Sequence, residues 1–543
     1  MEDKPIDIRI LGDHRVLAFA KAELAAHLTN AKSNAVPERV VLATWRQLSQ
    51  SSNGQVPDAA ARLKAAVYSD EFVIAEEGET TYLTGNSERA VLFAVYHYLE
   101  RVFGLRWIYP VPHPAAIGNG RKSSSRRHFV PVMERRGFVF ETIDDIPYMQ
   151  AMVDWLAKNK INEVFFTFSL WDKIGHALQE MIADRGLTIT LGGHSAKFFI
   201  NPAESAAASQ ADHPYTAKKQ LDYADLGWQA PFFDRIADYC KQVRNLARIS
   251  LWPEDIKHRQ AGDFLGSYIA FTERLQSAFA GAGLDVEVEH IAYNAGLAWD
   301  MLERGGHPGS SSIETLYAYW GRDYRDAYAT ARSESDRRAY AALRDWIAQI
   351  RRNGRKATIF EYYSDHFMLS PLFPMLPSRI AQDIADYARL GIDGIANLVV
   401  PCPQCEAYPW QWNHGYNSYV FARALWHETI EDIQADYYHA FEPSMREDAR
   451  RLLERLEQTV PALTSWNVPL FPARAVDPLK VGAIAEERRG EIVSQLQAVI
   501  DAAEPFLEAQ QQEHPDHPLV LSMKHYVRFA RLVREQWLEH DVV

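Results

Sequence analysis

A chain of 543 residues, 47% hydrophobic and 24% charged, has the balance of a globular protein too long for one core, so about two to four domains are expected. Its formal net charge of -13 excludes a general attraction to nucleic acid or anionic membranes, because no basic excess exists to release counterions. The only cysteines, Cys240, Cys402 and Cys405, exclude a disulfide framework, and no apolar run reaches membrane-spanning length.

The start, "MEDKPIDIRILGDHR", has acids where a signal peptide needs a basic segment, and it lacks the apolar stretch that should follow. The chain as given is therefore expected to be cytoplasmic, or periplasmic or secreted if a leader was removed. Residues 1–125 read as a small α/β domain. "IDIRILG" and "RVVLATW" are strand-like, "VLAFAKAELAAHL" is an amphipathic helix, and "EFVIAEEGETTYLTGN" is a hairpin. "SERAVLFAVYHYLERVFG" reads as a helix opened by Ser87 and closed by Gly104. The basic run Asn119 to His128, "NGRKSSSRRH", is a solvated connector or a polyanion patch, and the connector is the simpler reading.

Residues 130–425 change texture. Eight short apolar runs follow one another: "GFVFETIDD", "INEVFFTFS", "LTITLGGHS", "ARISLWPED", "VEVEHIAYN", "ETLYAYWGR", "KATIFEYYSD" and "GIDGIANLVVP". Amphipathic stretches such as "MQAMVDWLAKNK" and "PSRIAQDIADYARLG" lie between them. Strict alternation of eight strands with helices over about 270 residues predicts a (β/α)8 TIM barrel. A doubly wound open sheet competes, but the count and length favour the barrel. Residues 426–543 show helix-period apolar positions, as in "MREDARRLLERLEQTVPALTSW", and predict a C-terminal helical domain. The fold class is thus α/β, a barrel between a small α/β domain and a helical one.

The carboxyl ends of barrel strands converge on one mouth, so the polar residues there are candidates by position. They are Glu141, Asp144 and Asp145 after the first strand, His194 in "GGHS" after the third, and Glu254 and Asp255 after the fourth. The later strands offer Tyr293 and Asn294, then Trp320, then Glu361, Tyr362 and Tyr363 with Asp365 and His366. "YPWQWNHGYN", after the eighth, adds Trp410, Trp412 and His414. Acids on different strands, among aromatics and hydroxyl-bonding groups, suit glycoside hydrolysis. One carboxylic acid protonates the leaving oxygen, and a second carboxylate activates water or attacks. The 12% aromatic content provides platforms for sugar faces.

Each candidate has a plainer reading. Asp255 serves equally well as a helix N-cap, Glu361 faces outward if the strand's alternation runs the other way, and His194 alone is more often a structural hydrogen-bonder. The pair in "CPQC" is structural or incidental, since zinc needs more ligands and redox chemistry a thioredoxin-like setting. No P-loop, dinucleotide fingerprint or H-E-x-x-H pattern is present, and no cofactor is expected.

"LTGNSERAVLFAVYHYLERVFGLRWIYP" resembles the end of the small domain that precedes the barrel in microbial alpha-glucuronidases and beta-hexosaminidases. "RRGFVFET" resembles the first-strand "R-G-x-x-x-D" of beta-hexosaminidases, placing Arg136 and Glu141 on sugar-gripping positions. With "GGHS", "SLWPED", "FEYYSD" and "GIDGI", the chain is most similar to the alpha-glucuronidase-like branch of these barrel hydrolases, over about the first four hundred residues. It departs in two places: the order is Glu254-Asp255 where hexosaminidases have Asp-Glu, and "IKHRQAGDF" lacks the cysteine cluster some relatives carry.

The expectation is an exo-acting glycoside hydrolase with a carbohydrate partner. Glu254 or Asp255 is its acid and Glu361 its base or nucleophile. Arg136, Glu141, His194, Tyr293, Asn294, Trp320, Tyr362, Trp410, Trp412 and His414 line the sugar subsite. The resemblance admits a uronic acid, its carboxylate met by Arg136 or His194, or an amino sugar. A binding barrel without catalysis is the first rival, and a lyase built on Tyr362 and His194 the second. A metal-dependent hydrolase is a distant third, because no ligand spacing recommends one. The sequence leaves the oligomeric state open.

Overall fold

Each of the eight runs forms a strand of one closed, all-parallel barrel in a computed structural model. The structure describes residues 6–28, 37–51, 57–110, 116–117, 127–200, 209–212, 219–254, 263–294, 299–369, 372–402, 408–464 and 488–539. In order the strands are Arg135–Phe140, Glu163–Thr167, Thr188–Gly193, Leu246–Leu251, Glu287–Tyr293, Glu314–Ala318, Ala357–Asp365 and Gly394–Val400. Neighbours in sequence are neighbours in space, and the eighth strand pairs with the first. Aromatic and β-branched residues dominate these strands because both faces are covered, by the barrel interior and by the helix layer.

The expected alternation with helices breaks once. Between the fifth and sixth strands the described residues hold only a 3-10 turn, Trp299–Met301. The sequence that follows, "ERGGHPGSSS", is a reason: Gly305, Gly306 and Gly309 all take positive φ, and Pro308 removes a donor.

Inside the barrel the side chains form layers. At the amino ends of the strands Arg135 pairs with Glu163 at 2.6 Å and with Glu289 at 2.5 Å, and Arg248 meets Glu163 at 3.0 Å. Burial alone would raise the Glu163 carboxyl; Arg135 and Arg248 together hold it below its ordinary value. Higher up, the Trp252 ring stands edge-on to Phe165 at 5.2 Å and to Phe360 at 5.4 Å. Those residues belong to the second and seventh strands, so one indole spans the barrel and floors its mouth.

The N-terminal sheet orders its strands Asp7–Ile10, Arg39–Thr44, Thr80–Gly85, Phe72–Glu77 and His128–Phe129. Its long helix, Glu88–Phe103, is capped by Ser87 and closed by Gly104 in the left-handed region, as expected. The sheet side meets the barrel through buried charge. Asp70 accepts from Arg89 at 2.8 Å, from Arg136 at 2.6 Å and from Asn162 at 2.7 Å. Arg136 is fully buried, lies 5.0 Å from the Trp426 ring centre, and donates to the carbonyls of Met133, Glu134 and Lys160. It is therefore no sugar ligand: it faces out of the barrel and joins the two parts. A second buried cluster unites Glu100 of the long helix with Lys160 and Arg423.

Toward the C-terminus the described residues form the expected helices, at Ile430–His439, Arg446–Thr459, Arg489–Gln510 and Pro518–Glu539. The "YPWQWNHGYN" stretch departs from expectation. From Trp410 it is a helix, to Ala424, buried at nearly every position between barrel and C-terminal helices.

The Asp70 cluster gives a prediction. Burial alone would raise the Asp70 carboxyl, but Arg89 and Arg136 bring it from 3.8 down to about 2. A depressed folded-state value means stability present above pH about 4 and lost as pH falls through about 2. Asp70→Asn leaves the buried Arg136 guanidinium, and the half-buried one of Arg89, without their carboxylate and is expected to cost about 3 kcal/mol. Denaturant titrations at neutral pH check the cost, and the variant's acid unfolding should be flatter between those two pH values.

Candidate active site

The third and fourth strands end in a joined pair of turns. A Cβ on Gly192 would fall 1.8 Å from the Ser250 carbonyl oxygen, so only glycine lets these strands approach. Gly193, at φ +70°, turns the chain, and its carbonyl accepts from the Trp252 N–H at 3.0 Å. The next residue, His194, donates from Nδ1 to the Pro253 carbonyl at 2.6 Å, which assigns the ring's tautomer. Its ring stands 5.4 Å from Trp252 and 6.2 Å from Tyr293. Glu254 follows directly, with Lys197 Nζ 3.6 Å from its carboxylate. Asp255 lies outside the described residues.

Glu141 ends the first strand on the same side. Its Oε1 lies 3.7 Å from where a Cβ on Gly193 would stand, and Thr167 fixes its carbonyl at 3.1 Å. Carboxylates of the first and fourth strands thus flank the His194 turn. Across the mouth are Tyr293, Trp320 and Tyr362, all nearly buried. Asn294 has a different task from the one expected. Its amide bonds both sides of the Trp320 backbone, accepting from the N–H at 2.8 Å and donating to the carbonyl at 2.7 Å. It positions the indole.

Glu361 is not at the mouth. On the seventh strand Phe360 points inward to Trp252, so the pleat turns Glu361 out toward the helices. There it meets Arg322 at 3.0 Å, Tyr324 Oη at 2.6 Å and the Tyr387 hydroxyl, while Arg322 also holds Asp383 at 2.7 Å. Burial pushes its carboxyl up, and Arg322 opposes the shift. The Tyr324 hydroxyl in turn accepts from the Tyr362 N–H at 3.2 Å, so the cluster braces the mouth from behind.

Two of the three residues assigned after the eighth strand leave the site as well. Trp412 packs among Tyr109, Phe441 and His517. His414 accepts from the Tyr148 hydroxyl at 2.6 Å and bonds Ser418 at 2.9 Å, and burial lowers its value to about 3. It is a neutral structural ring. Trp410 is half-buried against Tyr148, His366 and His414. Cys402 is buried, and Cys405 lies outside the described residues, as does most of the basic run. Among the described residues no group of three metal-binding side chains converges.

Three residues of the mouth were not among the expected ones. Trp252 was read only as part of an apolar run, Lys197 follows the histidine of "GGHSAKFF" by three positions, and Phe367 follows the seventh strand.

No family model and no curated protein sequence matches the chain. Solved structures do match. A GH138 enzyme targeting pectin rhamnogalacturonan II has a TM-score of 0.59 at 12% identity, covering 98% of this chain and 69% of that one. A GH115 4-O-methyl-alpha-glucuronidase with specificity for decorated arabinogalactans has a TM-score of 0.57 at 13% identity, covering 98% of this chain and 72% of that one. The chain therefore shares, over nearly its whole length, the fold of two glycoside hydrolases.

Proposed function

We propose that the protein is a glycoside hydrolase that removes a sugar from the end of a glycan, with Glu141 and Glu254 as its working carboxylates. The observation that supports this reading is the joined turn at His194, with Glu141 Oε1 3.7 Å from the Cβ position of Gly193 and the Glu254 carboxylate 3.6 Å from Lys197 Nζ. Glu254, or Asp255 beside it, protonates the leaving oxygen. Glu141 takes the base or nucleophile role for which Glu361 is badly placed. Hydrolysis needs no more than such a pair, because the second carboxylate activates water or attacks the anomeric carbon itself. His194 and Lys197 then offer donors to sugar hydroxyls or to an acidic substituent. A uronic acid suits them, and the similar GH115 structure is that of a glucuronidase.

The competing lyase reading keeps Tyr362 and His194 as base and partner, and products separate the two. A lyase leaves an unsaturated uronate absorbing in the ultraviolet, and a hydrolase leaves a reducing sugar without that band.

The direct test is a panel of chromogenic glycosides that includes glucuronides and N-acetylhexosaminides. Glu141→Gln and Glu254→Gln are each expected to lower kcat/KM by about 100-fold or more, with melting temperatures held. Asp255→Asn run in parallel decides between the adjacent acids. If all three variants turn over at the native rate, the assignment is wrong.

Glu361→Gln should behave in the opposite way. Loss of one charge from a buried pair is expected to cost about 3 kcal/mol of stability. Turnover by the folded fraction should stay within about tenfold of native. Thermal unfolding and rates normalised to folded protein make the comparison.

A further inference from the structure

The last helix, Pro518–Glu539, has two unlike faces. Leu519, Met523, Tyr526, Ala530, Val533 and Trp537 recur at intervals of three and four and are buried against the protein. On the other face Lys524, Arg528, Arg531, Glu535 and Glu539 are exposed. Leu532 and Leu538 stand among them, 46% and 43% exposed. Beside this face runs an open groove of about 520 Å³, lined by Leu507 of the preceding helix, by Val527 and Leu532, and by four of the charged side chains.

The charges on this face are segregated, with cations at 524, 528 and 531 and acids at 535 and 539. That order is unfavourable for a helix on its own. Lys524 and Arg528 stand four apart, as do Glu535 and Glu539, and like charges at that spacing repel. Glu539 ends the helix, where the dipole is negative, and no basic residue stands in the last turn. Among the described residues Arg531 alone of the five has an ion-pair partner, Glu504 of the preceding helix.

Turned end for end, the stripe is its own complement. Two antiparallel copies of the helix, related by a two-fold axis between positions 531 and 532, set Lys524 opposite Glu539 of the partner subunit and Arg528 opposite Glu535 of the partner subunit. The two-fold repeats each pair, giving four. A parallel pairing would instead set every charge against its own kind. The excess of -13 makes repulsion the rule between copies elsewhere, so a face that opens with three cations is a favoured place for them to meet.

We propose that this face is the contact between two copies of the chain, antiparallel about that axis, with the exposed leucines covered in the seam. The contact is independent of which bond the barrel cleaves.

The test is sedimentation velocity on the full chain over a range of concentrations. A dimer is expected with a Kd of about 10 μM in about 50 mM salt, weakening about tenfold in about 500 mM salt as the pairs are screened. Arg528→Glu and Glu535→Arg each set like charges across the contact twice, and each should weaken the dimer about tenfold or more. The double variant Arg528→Glu/Glu535→Arg exchanges the ends of both pairs and should recover the native affinity within about threefold. Melting temperatures should hold, because both side chains are in water. A native chain that stays monomeric up to about 100 μM at low salt overturns the proposal, and that is the outcome if a different protein fills the groove. Single variants that dimerise like the native chain overturn it too, as does a double variant no stronger than the singles.

Discussion

A closed barrel leaves no strand with a free choice of face. Every side chain goes either to the shared interior or to the layer under the helices, and the two-residue pleat decides which. Adjacent residues therefore have unrelated fates. Arg135 turns inward and joins the charged layer at the amino ends, while Arg136 turns outward to Asp70. Phe360 closes on Trp252, while Glu361 closes on Arg322. A sequence motif that places an arginine or a glutamate on a strand end has not placed it in a site until the pleat is known.

The same constraint separates stability from chemistry. Buried charge concentrates away from the mouth, in the Arg135 layer, in the Asp70 and Glu100 clusters against the N-terminal sheet, and in the Arg322 cluster under the helices. Each is costly to leave half-made, because a lone buried charge is far worse than a pair. They hold modules and loops in register. The Arg322 cluster reaches the site through a hydrogen bond from the Tyr362 N–H to the Tyr324 hydroxyl.

Much of this was legible in the sequence. All eight barrel strands stood out because short runs rich in aromatic and β-branched residues, broken by Gly and Pro, have few other uses. The long N-terminal helix was legible because Ser87 and Gly104 mark its ends chemically. The helix from Trp410 to Ala424 was not, for a physical reason. Buried on almost all sides, with Asn413, His414, Asn417 and Ser418 inside, it shows no apolar stripe for periodicity to find. The missing helix of the fifth unit was written in its glycines, but an expectation of regular alternation hid it. Pleat parity at Arg136 and Glu361 had no local signature, since apolar and polar neighbours are equally buried on these strands.

The two sides of the mouth differ in kind, and a sugar has a matching asymmetry. The first four strands contribute Glu141, His194, Lys197 and Glu254, all polar and joined at one turn. The fifth to seventh contribute Tyr293, Trp320, Tyr362 and Phe367, and there Asn294 is occupied with holding Trp320. A pyranose presents hydroxyls around its edge and C–H bonds on its faces. Under the proposed function, hydrogen-bonding and proton transfer belong on the polar side, where the Pro253 carbonyl fixes the His194 ring. Stacking belongs on the other, where Asn294 holds the Trp320 backbone. On the proposed function, such an arrangement orients a sugar before any acid acts on it, and orientation reduces the barrier as surely as charge does.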